Sequence, residues 1–169
     1  LLTIPYKWLF PAIVLFCAVG VYSENNNTFD IWMVAIFGVV GYLFYNQFNV
    51  LSCEKLISVC KRFKNEGVSE LILDLRYNLG GNSKVHQLLA SMLAPEENVA
   101  RNDVYLKRVH NKDYEEELRQ KGAPLEQLLQ PQLEWMIDGN KYDYDVSDAN
   151  IGITKLYALV SGKTASASE

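Results

Sequence analysis

The chain has 169 residues, 49% of them hydrophobic, and a formal charge of −4. That length suffices for one domain whose core closes on itself. An acidic balance, with no basic stripe interleaved with aromatics, gives nucleic-acid binding no electrostatic support.

Charge is unevenly placed. Residues 1–50 hold only Lys7, Glu24 and Asp30, and nearly all other ionisable groups lie beyond Ser52. Such a break predicts two segments, 1–42 and 43–169, of different character. The first contains two apolar runs, WLFPAIVLFCAVGVY (8–22) and IWMVAIFGVVGYLFY (31–45), separated by the polar turn SENNNTFD. Trp8, Tyr22 and Trp32 suit an interfacial belt, and neither run carries a charge, so a helical, membrane-like hairpin over residues 8–45 is the leading expectation. A signal peptide and buried elements of a soluble core compete with it. Pro11 and the missing small-x-small cleavage site count against the signal peptide. The stretch 4–44, with its P-x3-LFPA start and G-V-Y-S turn, resembles a membrane segment of the large permease subunit of bacterial tripartite tricarboxylate transporters. It includes none of the segments with which that family holds substrate, so the resemblance by itself carries no transport function.

Beyond residue 40 the order is α/β. GYLFYNQF (41–48) reads as a strand, and CEKLISVCKRFKNEG (53–67) as an amphipathic helix with Leu56, Ile57, Cys60 and Phe63 on one face and Gly67 at its stop. SELILDL (69–75) is a near-continuous apolar run, as in a strand buried on both faces. RYNLGGN (76–82) is a glycine turn, and SKVHQLLASML (83–93) has the apolar spacing of a helix. After Pro95 the pattern loosens. DYEEELRQKG is a charged helix whose Glu115–Glu117 form a solvated face; PLEQLLQPQLEWM (124–136) reads as a second, broken helix; DGNKYDYDV (138–146) suits a half-exposed hairpin arm. TKLYALV (154–160) reads as a buried strand that delivers the chain to SGKTASASE (161–169).

Few residues here carry chemistry. Cys17, Cys53 and Cys60 show no zinc spacing and read as packing residues; no metal or cofactor is expected. Gly80–Gly81 fits neither dinucleotide nor P-loop spacing. The pair serves either a tight turn alone or a convergence of backbone N–H groups on an anion, the arrangement an oxyanion hole needs. Ser166 and Ser168 could be simple helix caps, yet a hydroxyl after a buried strand, at a helix start, sits where a nucleophile is favoured. His86 and His110 offer no evident triad, and neither Lys155 nor Lys163 is nominated as a base.

GVSELILDLRYNLGGNSKVHQLLASMLAP (67–95) and KLYALVSGKTASASE (155–169) together resemble the tail-specific, or C-terminal processing, serine protease family; VGYLFYNQF (40–48) looks like the strand ahead of that family's core. The resemblance implies a crotonase-like α/β core, here partial, that cleaves polypeptides near unstructured C-termini without metal or cofactor, in a bacterial cell envelope. By position it makes Ser166 the nucleophile, backbone N–H groups of Gly80 or Gly81 and of Ala167 the oxyanion donors, and Arg76 and Asn78 the support of the glycine turn. It places the general-base lysine some two dozen residues after the nucleophile, beyond Glu169. This stretch alone is therefore expected to be an inactive fragment, and the regulatory peptide-binding domain usual ahead of the core is replaced by membrane-like sequence. VGYLF (40–44) fits both families, so a fusion at that word is a further expectation. A transporter fragment and a peptide-binding module without catalysis, holding an extended chain by strand addition, are the alternative functions.

Overall fold

The computed structural model describes residues 33–37 and 39–168. The first apolar run and its polar turn lie outside the described residues. The second is partly inside, and there it is not helical: β1 (Met33–Phe37) and β2 (Val40–Phe44) pair antiparallel, Phe37 opposite Val40. Among the described residues no helix is long and apolar enough to cross a membrane. Val40 of β2 is β-branched, and in a paired pleat such a side chain loses less freedom than in a helix.

β2 then pairs in parallel with β3 (Glu70–Asp74), and β3 in parallel with β8 (Lys155–Leu159), giving one sheet in the order β1-β2-β3-β8. α1 (Cys53–Asn65) crosses from β2 to β3, and a short 3-10 turn, Val50–Ser52, leads into it. Cys53, Leu56, Cys60 and Phe63, three or four apart, turn one face of α1 inward. α2 (Ser83–Leu93) follows the glycine turn over the range its apolar spacing predicts and buries Val85, Leu88, Leu89 and Met92. With Leu43, Leu71 and Leu73 of the sheet these form a single cluster. Cys53 and Cys60 are free thiols inside it, and burial pushes them up to about 11 and about 12, away from reactive thiolates.

The long connection from β3 to β8 carries α3 (Glu96–Ala100), β4 (Val104–Lys107), α4 (Lys112–Gln120), β5 (Glu126–Leu128), β6 (Gln132–Ile137) and β7 (Asn140–Asp145). β4 pairs with β5 and β6 with β7, both antiparallel. The broken helix expected over 124–136 is thus replaced by two strands. Residues 132–137 bury only Leu133 and Trp135 deeply, a period of two rather than 3.6. Their partner strand is set by the Asp138–Gly139 turn, where both residues have positive φ, 49° and 79°, as a two-residue hairpin of the mirror-image type requires. β8 differs from expectation in the opposite sense. It is a strand, but all five of its residues are exposed, because it lies at the sheet's edge.

Candidate active site

Three parallel strands end on the same side of the sheet, and each feeds a loop there: Tyr45–Asn49 after β2, 75–82 after β3, and 160–168 after β8. In open α/β sheets this rim is where ligands are taken. Backbone bonds tie the loops together. Leu75 N–H donates to Leu159 O (2.8 Å), Phe48 N–H to Gly80 O (2.9 Å), and Asn82 N–H to Phe48 O (2.8 Å). Thr164 Oγ1 donates to Leu75 O (2.7 Å), and Ser161 Oγ to Arg76 O.

The two glycines cannot carry side chains in this arrangement. Gly80 has φ +96°, and a Cβ built on it would stand 2.6 Å from Ser166 Cβ and 3.0 Å from Ala167 N. Gly81 has φ +137°, and its Cβ would run into the Phe48 carbonyl. One glycine therefore lets the turn touch the serine run, and the other lets it touch the loop after β2. Residues 80 and 166, 86 apart in sequence, are in contact. Ser166 is exposed and has φ 58°, left-handed for a residue that rarely adopts it, within a short 3-10 turn, Ser166–Ser168. A left-handed non-glycine residue holds backbone strain, which persists where surrounding bonds over-determine it.

Asn78 supplies such bonds. Wholly buried, it donates from Nδ2 to Tyr45 O (3.0 Å), while its Oδ1 accepts from Gly80 N–H (2.8 Å) and from Ser168 Oγ (2.6 Å). Its backbone oxygen accepts Ala165 N–H at 3.2 Å. These bonds join Asn78 to the loop after β2, to the glycine turn and to the serine run. The Arg76 guanidinium faces Asp74 rather than the glycine turn, with Nε–Oδ1 2.9 Å and Nη2–Oδ2 2.7 Å. The Asp74 carboxylate is fully buried, takes a further bond from Tyr42 OH (2.7 Å), and is held down at about 2, chiefly by the arginine. Asp74 carries no role in the sequence reading, for which the D-L-R spacing at the end of a buried strand was the available signal, and Ser168 is read there only with Ser166, as a helix cap or candidate hydroxyl.

Of the nominated amides, Gly80 N–H is already committed to Asn78 Oδ1, whereas the Gly81 N–H meets no acceptor among the described residues. His86 makes ring contacts elsewhere than at the serines. Its ring packs edge-on to Phe48 and to Tyr105, whose hydroxyl donates to Gln127 Oε1 (2.7 Å). Burial, then the nearby Arg108 charge, lowers the His86 pKa. Lys155 Nζ lies 2.7 Å from Glu70 Oε1, and that carboxylate holds the lysine protonated, the opposite of what a general base needs. Lys163 is exposed in the turn ahead of Ser166. No cluster of metal-ligating side chains occurs among the described residues.

The family described as Peptidase family S41 matches residues 39–169, and the Tripartite tricarboxylate transporter TctA family matches residues 1–52. Two curated relatives from Agrobacterium vitis are each 54% identical over 43 residues, 25% of this chain. One is an uncharacterized protein in the TAR-II ttuC' 3' region, covered over 18% of its length; the other is an uncharacterized 52.8 kDa protein in the TAR-I ttuC' 3' region, covered over 9%. Among solved structures, one assigned as an S41 protease from Bacteroides fragilis superposes with a TM-score of 0.50 at 24% identity, over 81% of this chain and 33% of its own. A photosystem II D1 C-terminal processing protease gives a TM-score of 0.41 at 22% identity, over 76% of this chain and 25% of its own. The chain thus spans a third or less of the length of each. Residues 39–52 fall under both family matches, and the fold treats them as part of the second segment: β2 lies between β1 and β3, and Phe48 meets Gly81.

Proposed function

The chain belongs to peptidase family S41, and from that membership we propose that it carries the nucleophile and oxyanion portion of a serine endopeptidase of the tail-specific, C-terminal processing type. Ser166 Oγ attacks the scissile carbonyl of an unstructured polypeptide end, a lysine takes its proton, and the Gly81 and Ala167 amides receive the developing oxyanion. Gly81 is preferred to Gly80 because the Gly80 amide is spent on Asn78. The observation that carries the reading is the contact between the two turns: at Gly80 only a hydrogen fits against Ser166, so this exposed serine and the glycine turn share one surface.

The base is proposed to be a lysine other than Lys155, whose ion pair disqualifies it, and residues 1–169 alone are proposed to lack turnover. Cleavage of a fluorogenic peptide with an unstructured C-terminus tests both statements. The full gene product that contains residues 39–169 should cleave it, and Ser166→Ala should abolish cleavage. Undiminished cleavage by Ser166→Ala would remove the nucleophile; turnover by residues 1–169 alone would remove the second statement. The joining of transporter-like and protease-like sequence at VGYLF is likewise proposed as a fusion, and DNA reads crossing codons 38–46 in one uninterrupted natural gene would refute it.

A further inference from the structure

Ser166 sits between two bonds to the same buried residue. Ala165 N–H donates to the Asn78 backbone oxygen (3.2 Å), and two residues past the nucleophile Ser168 Oγ donates to Asn78 Oδ1 (2.6 Å). Ser168 Oγ also lies 3.3 Å from the Asn78 backbone oxygen. Asn78 Oδ1 has two lone-pair directions, and both are used, one by Ser168 and the other by Gly80 N–H. The Asn78 side-chain amide thus joins the serine run to the glycine turn beside the Ala165 main-chain bond, while its Nδ2 anchors the turn to the loop after β2.

We propose that Ser168 is a positioning residue: its hydroxyl, through Asn78, clamps the left-handed backbone of Ser166 and orients the glycine turn against it. The inference rests on the reading of Ser166 as nucleophile. Left-handed backbone at a serine is held by its surroundings, and here two main-chain bonds, Ala165 N–H to Asn78 O and Ser168 N–H to Ala165 O (3.2 Å each), flank Ser166 and survive truncation of Ser168, while the Ser168 hydroxyl is the side-chain bond that ties this turn to Asn78 Oδ1. Removing the hydroxyl leaves the attacking group present but lets its backbone relax. Misplacement of a reacting group by a fraction of an ångström lowers the rate of the chemical step without changing how substrate is gripped. Threonine keeps the hydroxyl and should keep the clamp.

Two readouts test this. In residues 1–169, amide exchange at Gly80 and Ala165 should quicken about ten-fold in Ser168→Ala, as expected for a lost clamp of one hydrogen bond. The thermal midpoint should fall by only a few degrees, and Ser168→Thr should restore both protection and midpoint. In the full gene product, Ser168→Ala should lower kcat about ten-fold with KM unchanged, and Ser168→Thr should recover most of it. Unchanged exchange in Ser168→Ala, or a threonine variant no better than alanine, overturns the clamp. Full cleavage in Ser166→Ala would instead overturn the nucleophile, and the exchange result would still decide whether Ser168 holds the two turns together.

Discussion

Asp74 is the buried ion on which the rim of the site rests, and its environment makes a directional statement about pH. The Arg76 guanidinium, aided by Tyr42 OH, holds the carboxyl at about 2, below the ordinary carboxylate range, although burial pushes the other way. A folded-state pKa below the unfolded one means the stabilisation is complete above about pH 4 and is lost as pH falls through 2. Full loss would amount to about 2 kcal/mol, less whatever solvent screens at the half-exposed arginine. Urea unfolding of the wild type and Asp74→Asn should therefore show a stability gap at pH 7 that closes towards pH 2. A gap independent of pH would mean the carboxylate contributes by shape rather than by charge. At this scale the sequence was legible wherever a residue type is unusual for its place. Paired glycines after a buried strand and a Ser-rich run after another pointed to Gly80, Gly81 and Ser166. Ser168 was not legible, because a second serine in a small-residue run has no distinguishing feature until Asn78 is beside it.

At the scale of elements, helices were readable and several strands were not, for a physical reason. α1 and α2 declare themselves through local spacing, and α2 also through its cap: Asn82 Oδ1 accepts the Lys84 N–H at 2.8 Å. Asn82→Ala should cost about 1 kcal/mol in urea unfolding, the usual worth of such a cap. A loss near zero would show that Phe48, which binds the Asn82 amide, already fixes the helix start. The leucines at 125, 128, 129 and 133 have helical spacing too, yet this stretch forms strands. β5 finds β4 across the α4 connection, and Gln127 is buried against Tyr105; neither partner is visible in a local window. The Asp138–Gly139 pair was the one local clue to β6, since a mirror-image turn demands a strand on both sides. For β1, partnership again outweighs composition. An apolar run without charges satisfies the pattern of a membrane helix and of a sheet strand alike, and β2 decides between them.

Across the whole molecule, the core lies on one side of the register. Leu71 of β3 and Leu156 of β8 are partners on one rung, but Leu71 is wholly buried and Leu156 is 51% exposed. Among the described residues β8 has β3 on one edge and no strand on the other, and Leu156, Tyr157, Leu159 and Val160 are exposed together while α1 and α2 cover the centre of the sheet. The parallel register matters for the site because it brings residues 80 and 166 to the same rim; burial along that register is not uniform. Truncating the two leucines separates these contributions. Leu71→Ala leaves a cavity in the core cluster to which Leu71 belongs and should cost about 2–5 kcal/mol. Leu156→Ala removes a side chain that water already reaches and should stay within about 0.5 kcal/mol. Both values come from urea unfolding of residues 1–169 at low protein concentration. A cost for Leu156→Ala approaching that of Leu71→Ala would mean the outer surface of β8 is covered in solution. Repeating the measurement at tenfold higher concentration would then separate cover by a second copy, which deepens with concentration, from cover by the same chain, which does not.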